Sequence, residues 1–155
     1  MADHRELDLA PAATANAKID PGTSIAGIEI GMTPSEVIAA KGRPDRRGVI
    51  ETYPFDVLRL RYGKTRAEFA GRGPGADVIR VTTTSPAQRT AKGAGVGWTE
   101  ERLLREMPLV RCRNRGAGLF CFRGRIRTNR QLTFFHISKR TGRVSSVDVT
   151  LIIPD

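Results

Sequence analysis

The sequence predicts an α+β domain made of two tandem copies of one unit. Each copy is a short helical start followed by about three antiparallel strands, with the helices packed on one face of the sheet. Two observations carry that expectation. A helix-start phrase occurs twice at an offset of 66, as GIEIGMTPSEV at 27–37 and GAGVGWTEERL at 93–103. After each phrase, apolar and polar residues alternate with the period of two that a half-buried strand requires. A chain of 155 residues is long enough for one domain with its own core.

In chain order, residues 1–24 are rich in Ala, Asp and Pro without an apolar period, and read as a tail or linker. The domain then spans 25–155, divided into copies at 25–86 and 87–155. The stretch SIAGIEI (24–30) fits either a short helix or a strand. In the first phrase Thr33 is a helix N-cap, Pro34 suits the first helical position and Glu36 completes a capping box. Met32 and Val37 take the two positions of a hydrophobic staple across that cap. In the second phrase Thr99 caps and Trp98 with Leu103 forms the staple, while Arg102 replaces the glutamate of the box. Gly31 and Gly97 supply a backbone turn that a Cβ would hinder. The helices are expected over 33–41 and 99–106, stopped by Gly42 with Pro44 and by Pro108. The phrase is a helix start; nothing in it requires chemistry.

Strand periodicity follows in VLRLRY (57–62), RAEFA (66–70) and VIRVTTT (78–84), and again in GLFCFRGRIR (118–127), QLTFFHIS (131–138) and RVSSVDVTLII (143–153). In the first of these Leu58, Leu60 and Tyr62 alternate with Arg59 and Arg61. In GLFCFRGRIR the alternation assigns Phe120, Phe122 and Ile126 to one face and Cys121, Arg123, Arg125 and Arg127 to the other. Burying an unpaired guanidinium is costly, so the arginine face is expected to look outward. If all strands share one sheet, Arg59, Arg61, Arg123, Arg125 and Arg127 form one surface.

With these residues in view, IGMTPSEVIAAKG (30–42) resembles the helix-start motif of the β-lactamase inhibitory proteins. It is also similar to that of the small outer-membrane assembly lipoproteins of the SmpA/OmlA type. The resemblance implies tandem repeats of helices plus antiparallel strands, and a protein that binds other proteins without catalysis. In MPLVRCRNRGAGLFC (107–121) one cysteine follows the helix and the other lies in the next strand, an arrangement that carries a disulfide in the inhibitors. Taken from the residues alone, Cys112 and Cys121 suit a disulfide across a hairpin, with buried free thiols as the alternative. Their spacing is poor for a metal site and is not the C-x-x-C of redox enzymes.

Catalytic and cofactor motifs are weak throughout. His136 reads as a satisfied strand histidine, and no cofactor, metal or acid–base pair is expected. Gly63-Lys64-Thr65 mimics the end of a phosphate-binding loop, but Leu58 stands where its first glycine belongs. The informative feature is charge. The chain carries +10, with 21 Arg and 5 Lys, and residues 102–143 alone carry +11. The function expected is therefore a non-catalytic secreted or cell-envelope binding module that docks an acidic partner through its arginine face. The alternative is a polyanion binder, on nucleic acid or an anionic envelope polymer, with strong salt dependence, and an enzyme without a recognisable motif is the third reading.

Overall fold

The computed structural model describes residues 18–116 and 118–154. Three short strands come first: β1 (Ile19–Asp20), β2 (Ser24–Ile25) and β3 (Ile28–Glu29), paired in that order. Residues 18–24 lie inside the segment read from sequence as a tail, yet Ile19 is fully buried in β1. Helix α1 (Pro34–Lys41) leads to β4 (Arg46–Ile50), β5 (Val57–Tyr62), β6 (Thr65–Ala70) and β7 (Val78–Thr83). Helix α2 (Glu100–Glu106) leads to β8 (Arg111–Arg115), β9 (Gly118–Phe122), β10 (Gln131–Ile137) and β11 (Val144–Leu151). The eight longer strands form one antiparallel sheet in the order β4-β5-β6-β7-β11-β10-β9-β8.

The predicted α+β class is corrected by this architecture. Strand takes 43% and helix 11%, so the fold is mainly β. The two helices have 8 and 7 residues, and only Pro34 and Val37 in α1 and Leu103 in α2 are buried. They cap corners of the core and do not form a layer over the sheet. The two-copy plan fails as well. The three-stranded sheet before α1 has no counterpart before α2, where no named strand lies between Thr83 and Glu100. The sequence showed about three strands after each helix, and there are four. The missing ones, β4 and β8, sit at the sheet edges and are almost wholly exposed, so no buried apolar period marked them.

The repeated phrase has a clear local role. Thr33 accepts from the Glu36 N–H at 3.3 Å while Glu36 accepts from the Thr33 N–H at 2.9 Å, completing the box. Thr99 accepts from the Arg102 N–H at 3.1 Å without the reciprocal bond. Just upstream, Gly31 donates to the Val78 carbonyl and Val78 to that of Met32, at 2.9 and 2.8 Å. Gly97, Trp98 and Val144 make the equivalent pair at 2.9 and 2.7 Å. Each helix start is thus tied to the first residue of a central strand, β7 or β11. Gly31 and Gly97 sit at φ of 94° and 100°, where a side chain is strained. Trp98 is 6% exposed and Met32 packs on the core as a half-buried residue.

The main core lies on the sheet face that meets the small sheet, the helix starts and the 84–99 segment. It contains Leu58, Leu60, Phe69, Val81, Val147, Val149 and Phe135, with Ile25 and Ile28 from the small sheet. Cys112 and Cys121 are register partners on β8 and β9 and are joined by a disulfide. Tyr62 donates its hydroxyl hydrogen to the Gly42 carbonyl at 2.8 Å, binding the C-terminus of α1 to β5. Burial, and then the charge of Asp45, raise the Tyr62 phenol above its ordinary value of 10.0.

Two outcomes follow from these contacts. Replacing both cysteines by Ser should lower stability by about 2.5–3 kcal/mol, because the bridge spans 9 positions of an otherwise open hairpin. Denaturant melts check the loss, and thiol titration of the unfolded, non-reduced protein should find no free thiol. Tyr62→Phe should cost about 1 kcal/mol near neutral pH. The Tyr62 stabilisation is full below the unfolded-state pKa and is lost as pH rises through the higher folded-state value. Alkaline melts of wild type and variant should therefore converge.

Candidate functional site

Side chains alternate across each strand, so the face opposite the core is defined by register. In the first half of the sheet Arg46, Arg61 and Arg66 are successive cross-strand partners on β4, β5 and β6. One row along, Arg59 opposes Glu68, which in turn opposes Arg80. In the second half Phe134 opposes Phe122, and Phe122 opposes Arg111. His136 opposes Phe120, and Phe120 opposes Arg113. Among the described residues this open face therefore carries Arg46, Arg59, Arg61, Arg66, Arg80, Arg111, Arg113 and Arg115 against two carboxylates, Glu68 and Asp148.

Both carboxylates are buried and already engaged. Glu68 takes Arg59 at 2.6 Å and Arg80 at 3.5 Å. Asp148 takes His136 Nε2 at 2.6 Å and the Thr150 hydroxyl at 2.6 Å. Thr150 also accepts from Arg80 Nε at 3.3 Å, which links the two groups across the β7–β11 joint. The result is a polar band over the centre of the face. His136 is the satisfied strand histidine that the sequence suggested, although it lies on the open face. Among the described residues no group of three or more His, Cys, Asp or Glu side chains gathers to hold a metal.

Beside that band is a second, smaller apolar cluster of Phe122, Leu132 and Phe134 with Phe120 and Ile152 packed on it. Phe120 stacks on Phe122 at 5.7 Å between centroids and meets Phe134 edge-on at 5.8 Å. Arg111 and Arg113 lie over the Phe122 ring at 5.1 and 5.4 Å, a cation–π arrangement that holds both guanidinium groups over the sheet. A shallow depression of about 570 Å³ opens here, lined by Phe120, Ile126, Phe134 and His136 and flanked by Arg80 and Arg115.

The structure brings together only part of the arginine surface expected from sequence. Arg59 and Arg61 stand on the open face of β5, as their alternation required. Arg123, Arg125 and Arg127 do not join them. Strand β9 ends at Phe122, and residues 123–130 leave the sheet as an exposed loop with Gly124 at φ 98° and Asn129 at φ 69°. That loop is fastened to the C-terminal segment, Asn129 donating to the Ile152 carbonyl at 2.7 Å. Arg123 instead lines a separate cleft of about 470 Å³ with Lys92 and Arg130, beside Met107, Val110 and Phe135.

The faces of β9 are also reversed relative to expectation. Phe120 and Phe122 look outward, while Cys121 and Leu119 face the main core. The disulfide binds Cys112 to the same side. Cys112 of the edge strand must point to the same side as Cys121, and the core side is where both fit. The arginines that accompany the aromatic cluster come from β8. Its R-C-R-N-R pattern ahead of Gly116 and Gly118 was the available signal, and it was masked by the position of Cys112 just after the helix.

No family model matches the sequence, and no curated protein is significantly similar to it. Among solved structures the chain is similar to a DUF4309 family protein from Bacillus subtilis, with a TM-score of 0.53 and 17% identity over 89% of this chain and 90% of that one. An extracellular protein containing an SCP domain from Bacillus anthracis is similar at a TM-score of 0.49 and 12% identity, over 79% of this chain and 44% of that one. A cysteine-rich secretory protein from Staphylococcus aureus follows at 0.47 and 11%, over 88% of this chain and 49% of that one. At 17% identity the first likeness is one of fold alone.

Proposed function

We propose that this chain is a non-catalytic, secreted or envelope-facing binding module whose open sheet face docks an acidic partner protein. The observation that carries the reading is the imbalance on that face. Among the described residues eight arginines stand against two carboxylates, and both carboxylates are consumed by internal partners. An antiparallel sheet that buries one face and leaves the other open is a ready platform, because the backbone fixes every outward position. The depression at Phe120, Ile126 and Phe134 supplies apolar area with arginines at its rim, the composition found at the centre of protein interfaces.

The platform suits a protein better than a nucleic acid. Phe122 is fully buried and Phe134 is 9% exposed, and two arginines already cover the Phe122 face. That leaves Phe120 as the one partly exposed ring of the cluster, short of the row of open rings on which successive unpaired bases stack. The Cys112–Cys121 disulfide supports an oxidising compartment. No helix among the described residues is long and apolar enough to cross a membrane.

The test is affinity capture from secreted and envelope fractions with three forms of the protein. These are wild type, Arg113→Ser/Arg115→Ser on the open face, and Arg105→Ser on α2. Wild type and Arg105→Ser should retain the same acidic protein, and the face variant should bind it roughly ten-fold or more weakly with an unchanged melting temperature. Equal retention by all three forms would show that the face is only solvated.

A further inference from the structure

At the β4–β6 end of the open face lies a cleft of about 460 Å³ lined by Arg46, Arg47, Arg59, Arg61, Lys64 and Arg66, with no acidic side chain among the described residues of its wall. We infer that this cleft is a binding site for a compact, multiply charged phosphate anion, such as a pyrophosphate or linked phosphate groups. The inference stands on the cleft alone and does not require the docking reading.

The argument begins with register. Arg46, Arg61 and Arg66 are direct cross-strand partners on one face, and like charges so placed repel. Of the six cations, Arg59 alone has an ion pair among the described residues, with Glu68, which it shares with Arg80. Asp45, just before β4, accepts with Oδ2 from the Gly63 N–H in the β5–β6 turn at 2.6 Å. Arg61 spends its Nε on the Gly63 carbonyl at 3.2 Å, leaving the far end of its guanidinium uncommitted. Arg66, which lines this cleft and also the depression at Phe120, has a buried Nε with no hydrogen-bond partner among the described residues. Repulsion and an orphaned donor are both costs to the empty state, and an anion that binds only the folded chain offsets both.

The wall chemistry selects the class. Five of the six cations are arginines, whose planar forks grip phosphate oxygens in pairs. They rise from three adjacent strands, so the outer two are about 9–10 Å apart at the backbone. A single planar carboxylate meets one or two such forks, whereas tetrahedral groups joined in series present oxygens to all three. The remaining lining residues are Gly48, Gly63, Thr65 and Thr84, so the cleft offers no aromatic or large apolar surface to grip a base, ring or acyl chain. Recognition is of the charged oxygens.

The experiment titrates inorganic tripolyphosphate into the full chain by calorimetry at low and at near-physiological salt, with citrate, a tricarboxylate about one charge poorer near neutral pH, as the planar-carboxylate contrast. Saturable binding is expected, tighter for tripolyphosphate than for citrate. In Arg61→Gln/Arg66→Gln it should weaken by roughly ten-fold or more, a loss of about 1.4 kcal/mol at least. Arg111→Gln/Arg113→Gln, at the far end of the face, should bind as wild type does. Thermal melts supply a second readout. Without anion the Arg61/Arg66 variant should melt no lower than wild type, and only wild type should gain appreciably from tripolyphosphate. Absence of binding, an equal response to citrate, or equal losses in the two double variants would overturn the assignment and leave only diffuse charge attraction. Loss of protein docking with tripolyphosphate binding intact would bear on the docking face alone.

Discussion

Four register pairs between β7 and β11, from Arg80↔Thr150 to Thr83↔Val147, join two four-stranded meanders into one sheet, and the rest of the molecule is arranged around that ladder. The ladder is non-local, since its strands are separated by α2 and three other strands. It is held because Val81, Val147 and Val149 are fully buried beneath the small β1–β3 sheet. Both helix starts are bonded to the first residues of these same two strands. A short helix with one or two buried side chains contributes little by itself, so its position depends on those backbone bonds and on Trp98 or Met32 beside them.

On the other side of the sheet the same ladder sets the order of charges. Because β7 and β11 are central, their outward residues, Arg80, Thr82, Asp148 and Thr150, form the polar band that divides the arginine end from the aromatic end. Glu68 and Asp148 are satisfied within that band, so neither is left to neutralise arginines farther out. The face is thereby polarised along the sheet, with an acid-free cleft at β4–β6 and an apolar depression at β9–β10.

Charge counted along the chain points elsewhere. Residues 102–143 carry all of the excess, yet the acid-free cleft lies in the first half, where the count is nearly balanced. Glu68, the acid of that half on the face, is engaged by Arg59 and Arg80, and others are placed off it. Glu36 closes a helix cap, Asp45 binds a turn amide and Asp56 pairs with Arg72. Net charge sums over both sides of every strand, whereas a ligand meets one side. Much of the excess in the second half is likewise spent away from the sheet, in the 123–130 loop.

What the sequence determined by itself is local. Thr33 and Thr99 as caps, Gly31 and Gly97 as turn residues, and Arg59 and Arg61 as outward positions all follow from propensities and from a period read within about ten residues. Tertiary structure decided the rest. Whether Phe120 or Cys121 faced the core depended on the partner strand and its disulfide, because alternation defines two faces without saying which is covered. Arg123, Arg125 and Arg127 continued the pattern of β9, but a strand persists only while a neighbour accepts its hydrogen bonds, and β9 has no strand partner beyond Phe122. The cleft at Arg46, Arg61 and Arg66 was hidden for the same reason, since its three arginines come from three strands and meet only through register.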